Sequence, residues 1–133
     1  MEFQRACMNG DITKVRGLID QDINVNAIDR HGTTALMMAC MYNHLEIAAL
    51  LLDRGADVNV QDNWGRTALM CAAQSNSPKM VKLLFTYNPD FTIIDQEGRD
   101  ALYYARSNEM RDLLLSYISD SKPATGIALR SDI

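Results

Sequence analysis

Residues 29–61 read DRHGTTALMMACMYNHLEIAALLLDRGADVNVQ, and the pattern of this stretch recurs along the chain with a period of 33 residues. One period forward it aligns with DNWGRTAL at residues 62–69, and two periods forward with DQEGRDAL at residues 95–102. One period back, ADVN at residues 56–59 falls on INVN at residues 23–26. The recurring positions are Asp29, Asp62 and Asp95; Gly32, Gly65 and Gly98; and Ala39, Ala72 and Ala105. Several registers that coincide at one period indicate a tandem repeat.

A unit of D-x-x-G-x-T-A-L, followed by an alanine, an aliphatic run and G-A-D-V-N, resembles the ankyrin repeat. The resemblance covers residues 2–119 and is strongest in residues 29–61. It implies an all-α solenoid of helix–turn–helix units, with a β-turn finger projecting between neighbouring units. It also implies a non-catalytic adaptor or regulator that binds another protein through the finger tips and the exposed inner helices.

The period divides the chain into one ankyrin-repeat domain at residues 1–119 and a C-terminal tail at residues 120–133. The domain comprises an N-terminal capping repeat at 1–28, a second repeat at 29–61, a third at 62–94 and a C-terminal capping repeat at 95–119. Two interpretations of the tail stay open. Ile127 and Leu129 dock back onto the last helix, or Ser131–Ile133 binds a carboxylate-recognising domain by β-augmentation.

The last repeat departs from the period, because three residues are missing from its inter-helix turn. Placing Glu109 under Glu46 restores the register of its second helix, which then runs to about Ser119. A terminal repeat needs a polar outer face, since no further repeat covers it. The residues expected on that face are Arg111, Asp112, Ser116 and Tyr117.

The helix ends are predicted from residues that tolerate a left-handed backbone. Such residues recur at both turns of the unit: Gly10, Asn43 and Asn76 after the first helix, and Asp22, Gly55 and Asn88 after the second. The second repeat is predicted to form helices at 35–41, capped by Thr34, and at 45–53. Ser77 and Pro78 are a cap and a first helical residue in the third repeat. Helices this short are unstable alone, so each must bury its apolar stripe against the next repeat.

Composition limits the classes of partner. The chain has a net charge of −4, whereas a nucleic-acid partner calls for a basic stripe. It has no apolar run near the ~18 residues of a membrane helix. Its first residues lack the basic segment and long apolar run of a secretory signal. We therefore expect a monomer in the cytoplasm, with the nucleus as the alternative, and neither a membrane nor a nucleic-acid partner.

Catalytic or metal-binding chemistry is not indicated. Cys7 and Cys40 share an offset in stacked helices about 8–10 Å apart, which exceeds the ~7 Å limit for a disulfide. The cysteines are therefore interpreted as core residues in a reducing compartment. The two histidines, His31 and His44, fall at opposite ends of one unit and cannot share a proton or a metal. We expect no enzyme activity, no metal and no cofactor.

Two departures from the family pattern affect the stack. The usual Thr-Pro-Leu-His becomes a motif ending in Met37, Met70 or Tyr103. The family's histidine links repeats by hydrogen bonds, and methionine cannot replace those. We therefore expect a stack held mainly by apolar contact, with Met37 and Met70 in the core. The segment NPDFT at residues 88–92 replaces G-A-D-V-N and predicts an altered finger before residue 95.

The resemblance places the partner-binding face on the three fingers and the inner helices. The matching finger positions are Arg30, His31, Thr33, Asn63, Trp64, Arg66, Gln96, Glu97 and Arg99. Those on the inner helices are Met8, Met41, Tyr42, Gln74, Ser75 and Ser107. A turn requires neither a tryptophan nor an unpaired arginine, and both are enriched where binding energy concentrates. Trp64 and Arg66, next to Met41 and Tyr42, are expected to form its apolar centre, unless Trp64 packs onto the neighbouring finger.

Two other functions are compatible with the sequence. In the resembled family the asparagine of the V-N pair is sometimes hydroxylated by an iron-dependent oxygenase, which makes Asn26 and Asn59 modification candidates if the source is an animal. Thr92 replaces the third asparagine, so that repeat lacks the acceptor. A small inhibitor or immunity-type protein that blocks one enzyme would use the same surface as an adaptor.

Overall fold

The computed structural model describes residues 2–120, so the predictions made for the rest of the tail lie outside the described residues. Within this range the chain forms seven α-helices and one 3₁₀-helix, η1, and no β-strand. Their order is α1 (Glu2–Asn9), α2 (Ile12–Asp20), α3 (Ala35–Met41), α4 (Leu45–Asp53), α5 (Ala68–Gln74), α6 (Pro78–Phe85), η1 (Ala101–Tyr104) and α7 (Asn108–Asp120). The all-α solenoid expected from the repeat is confirmed.

Polar residues begin the helices and left-handed residues end them. The hydroxyls of Thr34, Thr67 and Ser77 accept hydrogen bonds from backbone N–H groups in the first turns of α3, α5 and α6. Among residues 2–120, four non-glycine residues have a positive φ, and they are those predicted at the turns: Asp22, Asn43, Asn76 and Asn88. The predicted bounds of α3 and α4 are confirmed.

The helices form two rows. In the inner row α1, α3, α5 and η1 each contact the next, and in the outer row α2, α4, α6 and α7 do the same. One continuous apolar core lies between the rows and includes Leu51, Leu84 and Leu114. Full burial of a side chain of this size contributes about 1.5–3 kcal/mol, so each of these leucines stabilises the stack.

Polar contacts between repeats are more numerous than the sequence suggested. Met37 and Met70 are buried in the core as predicted. Gln4, one period before Met37, uses its amide as the family uses histidine: Nε2 donates to the carbonyl oxygens of Ala27 at 2.9 Å and Thr33 at 3.4 Å. Fingers and inter-helix turns add further hydrogen bonds. Hydrogen bonds between repeats thus accompany the apolar core, and the expectation of a stack held mainly by apolar contact stays a prediction.

The C-terminal repeat differs from the others at both of its helices. Its first helix is the single turn η1, and Tyr103 is 62% exposed although Met70, one period earlier, is 1% exposed. On α7, Arg111, Asp112 and Ser116 are exposed as predicted. Placing Tyr117 on the outer face is wrong, because its ring stacks on Phe85 with centroids 4.4 Å apart and so covers the end of α6.

The three cysteines are buried in the core, as predicted. Burial raises the pKa of Cys7 and Cys71 to about 12 and that of Cys40 well above its ordinary value. Because the thiolate is the reactive form, the native thiols should react with a disulfide reagent only when the fold opens.

We predict that at about pH 8 the native protein reacts with Ellman's reagent at least about a hundredfold more slowly than the urea-unfolded chain. The release of thionitrobenzoate over time measures both rates, with free cysteine as the control for reagent activity. A thiol that reacts with the native protein as fast as free cysteine would contradict the burial described here.

Candidate protein-binding surface

The three fingers are closed by their leading aspartates. Oδ1 of Asp29 accepts the backbone N–H groups of His31 at 2.8 Å and Thr33 at 3.0 Å. Asp62 and Asp95 make the same pair of bonds, each at 2.9 Å. These contacts confirm that the recurring aspartates serve their own turns. They do not involve residues 88–92, so the expectation of an altered finger before residue 95 stays a prediction.

Consecutive fingers are hydrogen-bonded to one another. The N–H of Asn63 donates to the carbonyl of His31 at 2.9 Å, and the N–H of Gln96 donates to that of Trp64 at 3.0 Å. The side-chain amides add a second contact at each step, from Asn63 to the Arg30 carbonyl and from Gln96 to the Asn63 carbonyl. The finger row is thus held in place before any partner arrives.

Glycine is required at position 65 for two reasons: the close packing of the second finger on the third, and a left-handed backbone conformation. Gly65 has φ +83°, and a Cβ added there would lie 2.9 Å from Cα of Asp95 in the next finger. Gly98 has a similar φ of +79°, but an added Cβ would meet nothing within 4 Å. Gly98 is therefore required only by the positive φ of its turn. Gly65 is required both by a positive φ and by the close approach of the next finger.

The arginines of the second and third fingers, Arg66 and Arg99, are paired, which corrects the expectation of an unpaired arginine beside Trp64. Nε of Arg66 donates to Oδ2 of Asp62 at 2.9 Å, and Nε of Arg99 donates to Oδ2 of Asp95 at 2.9 Å. Each aspartate thus holds its turn with one oxygen and an arginine with the other. The guanidinium groups are oriented by the fold and remain partly exposed at the surface.

Asp95 has an additional partner, the hydroxyl of Tyr104. Burial by itself would raise the pKa of Asp95, but hydrogen bonds from Tyr104, Arg99 and the Glu97 N–H hold it well below its ordinary 3.8. Burial, reinforced by the Asp95 carboxylate, raises the pKa of Tyr104 to about 12. This network is a strong electrostatic link between the third finger and η1.

Trp64 lies on the second finger with one side covered and the other open. Its ring is 5.7 Å from that of His31 on the first finger, and the Arg66 guanidinium lies 5.2 Å from its centroid. The side chain is nevertheless 49% exposed. Packing onto the neighbouring finger therefore occurs, but it leaves about half of the tryptophan for other contacts.

An open groove of about 600 Å³ adjoins Trp64 on the inner face of the last two repeats. It is lined by Trp64, Arg66, Gln74, Glu97, Arg99, Tyr103, Tyr104, Ala105 and Arg106. Sequence reasoning named the first five of these and missed the last four. The available signal was that Tyr103 occupies the position of a core methionine in a shortened repeat, the last one within residues 2–120.

Most of the predicted surface residues are exposed or half-buried. Thr33 is the exception: its side chain is 4% exposed at the base of the first finger, so placing it on the surface is wrong. Met41 and Tyr42 do not line the groove. They lie at the far end of the seven-residue α3, about 10 Å from the fingers, and so cannot form one apolar centre with Trp64.

The two histidines have separate structural contacts. The His31 ring packs against Trp64, whereas Nε2 of His44 lies 2.9 Å from the carbonyl oxygen of Met8 in the preceding repeat. Within residues 2–120, no group of three or more His, Cys, Asp or Glu side chains is arranged to hold a metal ion. None of the helices in this range is long and apolar enough to cross a membrane.

The modification candidates are both engaged in contacts between repeats. Oδ1 of Asn26 accepts the backbone N–H of Asp57 at 2.8 Å, and Oδ1 of Asn59 accepts that of Asp90 at 2.8 Å. Nδ2 of Asn26 also donates to the carbonyl of Gly55 at 3.2 Å. These bonds give both asparagines a structural role, and their hydroxylation stays a prediction.

Comparison with known families agrees with the geometry. A model described as ankyrin repeats (many copies) matches residues 18–69, and one described as ankyrin repeats (3 copies) matches residues 54–124. The second match alone spans more than half of the chain, and the protein belongs to the ankyrin repeat family. Ankyrin repeats are generally protein–protein interaction modules and are typically non-catalytic. No curated protein matches the chain.

The difference between Gly65 and Gly98 predicts how far an alanine at each position lowers the free energy of unfolding. Gly98→Ala should cost about 1–2 kcal/mol, the price of a left-handed alanine. Gly65→Ala should cost at least about 1 kcal/mol more, because the methyl group must also displace the backbone of the third finger. Urea unfolding followed by circular dichroism measures both variants. Equal decreases in the free energy of unfolding would show that the close approach between the fingers places no steric constraint on position 65.

The low pKa of Asp95 predicts how the stability of the protein changes at low pH. A carboxyl whose pKa is depressed on folding stabilises the native state above pH 3.8, and this stabilisation is lost as the pH falls toward 2 and below. Over that range the melting temperature of Asp95→Asn should fall less steeply than that of the unaltered chain. Asp112→Asn, on the exposed face of α7, is the matched control and should not flatten the curve.

Proposed function

We propose that this protein is an adaptor or regulator that binds a partner protein through its finger tips and inner helices. The observation that carries the proposal is the cluster of exposed aromatic and arginine side chains around one groove, centred on Trp64 and Tyr103. Tryptophan, tyrosine and arginine are the residues most enriched where truncation weakens binding by about 2 kcal/mol or more. The domain proposed to present this face is the four-repeat unit at residues 1–119.

The proposed surface has a central part and an edge. The central part comprises Trp64, Arg66, Gln74, Glu97, Arg99, Tyr103 and Arg106. Arg30, His31, Asn63 and Gln96 extend it along the fingers, and Met41 and Tyr42 extend it along the inner row. A standard interface buries about 800 Å² of each partner, and a face that spans three repeats is large enough to provide this area.

Preorganisation supports this choice of face. The finger backbones are hydrogen-bonded within and between turns, and the aspartates hold Arg66 and Arg99 in place. A partner that binds here therefore does not have to order the loops, which reduces the entropy lost on association. Tyr87, an exposed aromatic residue in the turn after α6, has no comparable surroundings of fixed arginines.

An inhibitor that blocks one enzyme would use the same face, and only the identity of the partner separates it from an adaptor. The buried free thiols are compatible with a reducing compartment, so we place the protein in the cytoplasm or the nucleus. We further propose that it acts as a monomer and binds neither nucleic acid nor membrane.

Trp64→Ala and Tyr103→Ala test the proposal. Affinity capture from the native source, followed by mass spectrometry, identifies the partner, and calorimetric titration then measures its binding. Each substitution should weaken binding by about 2 kcal/mol, roughly thirtyfold, because each removes an exposed aromatic side chain at the centre of the face. Melting temperatures should change by less than about 4 °C.

Tyr87→Ala is the matched control, since it removes an exposed aromatic residue from the outer row and should leave binding unchanged. If both groove variants retained full affinity, or if Tyr87→Ala weakened binding as much as they did, the assignment of this face would be rejected.

A further inference from the structure

The groove carries an excess of positive side chains on an acidic protein. Arg66, Arg99 and Arg106 line it, and Glu97 is the one carboxylate among the residues of its lining, whereas the whole chain has a net charge of −4. Asp62 and Asp95 lie behind the arginines and are buried. The charged groups offered to an incoming molecule are therefore mainly guanidinium groups.

Arg66 is held in the arrangement that suits a carboxylate. Its Nε is bonded to Asp62 and its guanidinium lies against Trp64, so both the position and the plane of the group are set. Among residues 2–120, neither of its terminal nitrogens has a hydrogen-bond partner. The two terminal nitrogens form one edge of the planar guanidinium and can donate paired hydrogen bonds to a carboxylate, and fixing the group beforehand lowers the entropy cost.

Arg106 is the second available cation. Its recorded hydrogen bond is a long one, 3.5 Å from Nη1 to the carbonyl of Gln74, and its side chain is exposed. Arg99 is already engaged by Asp95 and Glu97, so its charge is compensated and it is not counted among the available cations. Two arginines in the groove thus remain for an external acceptor.

The separation of these arginines suggests the form of the ligand. Arg66 precedes α5, and Arg106 reaches Gln74, the last residue of that seven-residue helix. The two arginines are thus held at opposite ends of a helix about 10 Å long. An extended peptide advances about 3.3 Å per residue, so carboxylates about three positions apart span this length. The exposed ring of Tyr103 lines the same groove and offers an apolar contact to a neighbouring side chain.

We propose that the groove binds an extended acidic segment of the partner protein. Its carboxylates pair with Arg66 and Arg106, and an apolar or aromatic side chain beside them packs on Tyr103. This inference rests on the proposed function, which assigns protein binding to this face, and adds the chemistry of the segment that binds there.

Trp64 provides the measurement, because it is the single tryptophan of the chain and lies at the groove. The probes are the peptides acetyl-Asp-Glu-Phe-Glu-Asp-amide and acetyl-Lys-Lys-Phe-Lys-Lys-amide, titrated into the full chain while tryptophan emission is recorded. The acidic peptide should produce a saturable change and the basic peptide none. The affinity of the acidic peptide should fall when the salt concentration rises from about 20 mM to about 300 mM.

Arg106→Gln should weaken the acidic peptide by about 3- to 10-fold, as expected for the loss of one partly exposed charge-assisted contact. Arg54→Gln is the matched control: it removes the same charge from an arginine at the end of α4 in the outer row, and binding should change by less than about twofold. Circular-dichroism melts of both variants verify that the fold is intact.

Three results would overturn the inference: no saturable response to the acidic peptide, equal responses to both peptides, or equal weakening by Arg54→Gln and Arg106→Gln. If any of these occurred while Trp64→Ala still abolished capture of the native partner, the proposed face would stand and only its acidic preference would be rejected. Sedimentation showing self-association that Trp64→Ala removes would assign the groove to a second copy and also overturn the inference.

Discussion

The finger row depends on a carboxylate that closes its own turn. In each finger, one oxygen of the leading aspartate accepts two backbone N–H groups and so fixes the loop without help from a sheet. A fixed loop can then donate to the loop behind it, as Asn63 does to His31 and Gln96 to Trp64. Helix pairs this short cannot persist alone, and the bonded fingers align their apolar stripes so that one core forms between the two rows.

The same aspartates connect the fold to the surface. The second carboxylate oxygen of Asp62 holds Arg66, and that of Asp95 holds Arg99 and Tyr104. The contacts that rigidify the fingers therefore also set the direction of the guanidinium groups at the groove. A change at either aspartate would disturb stability and recognition together, which is why substitutions at Trp64, Tyr103 and Arg106 separate the two roles better.

Local structure was predictable wherever one residue meets one backbone requirement. Asn43, Asn76 and Asn88 occupy left-handed positions, and Thr34 caps the helix that it precedes. Contacts between distant residues were less accessible. Gln4 performs the bridging that histidine performs in the family, although its residue type gave no reason to expect this.

Of the candidate site, the sequence determined the repeat, the turn residues and the finger positions of Trp64 and Arg66, because these follow from offsets within a unit of constant length. The exposure and the contacts of these side chains were decided by the tertiary structure alone. It buried Thr33, paired Arg66, and turned Tyr103 outward where Met70 points inward. Such outcomes depend on what the neighbouring repeat covers, and within residues 2–120 no further helix pair follows α7. Periodicity describes the unit, whereas the exposure of each side chain depends on what packs against it.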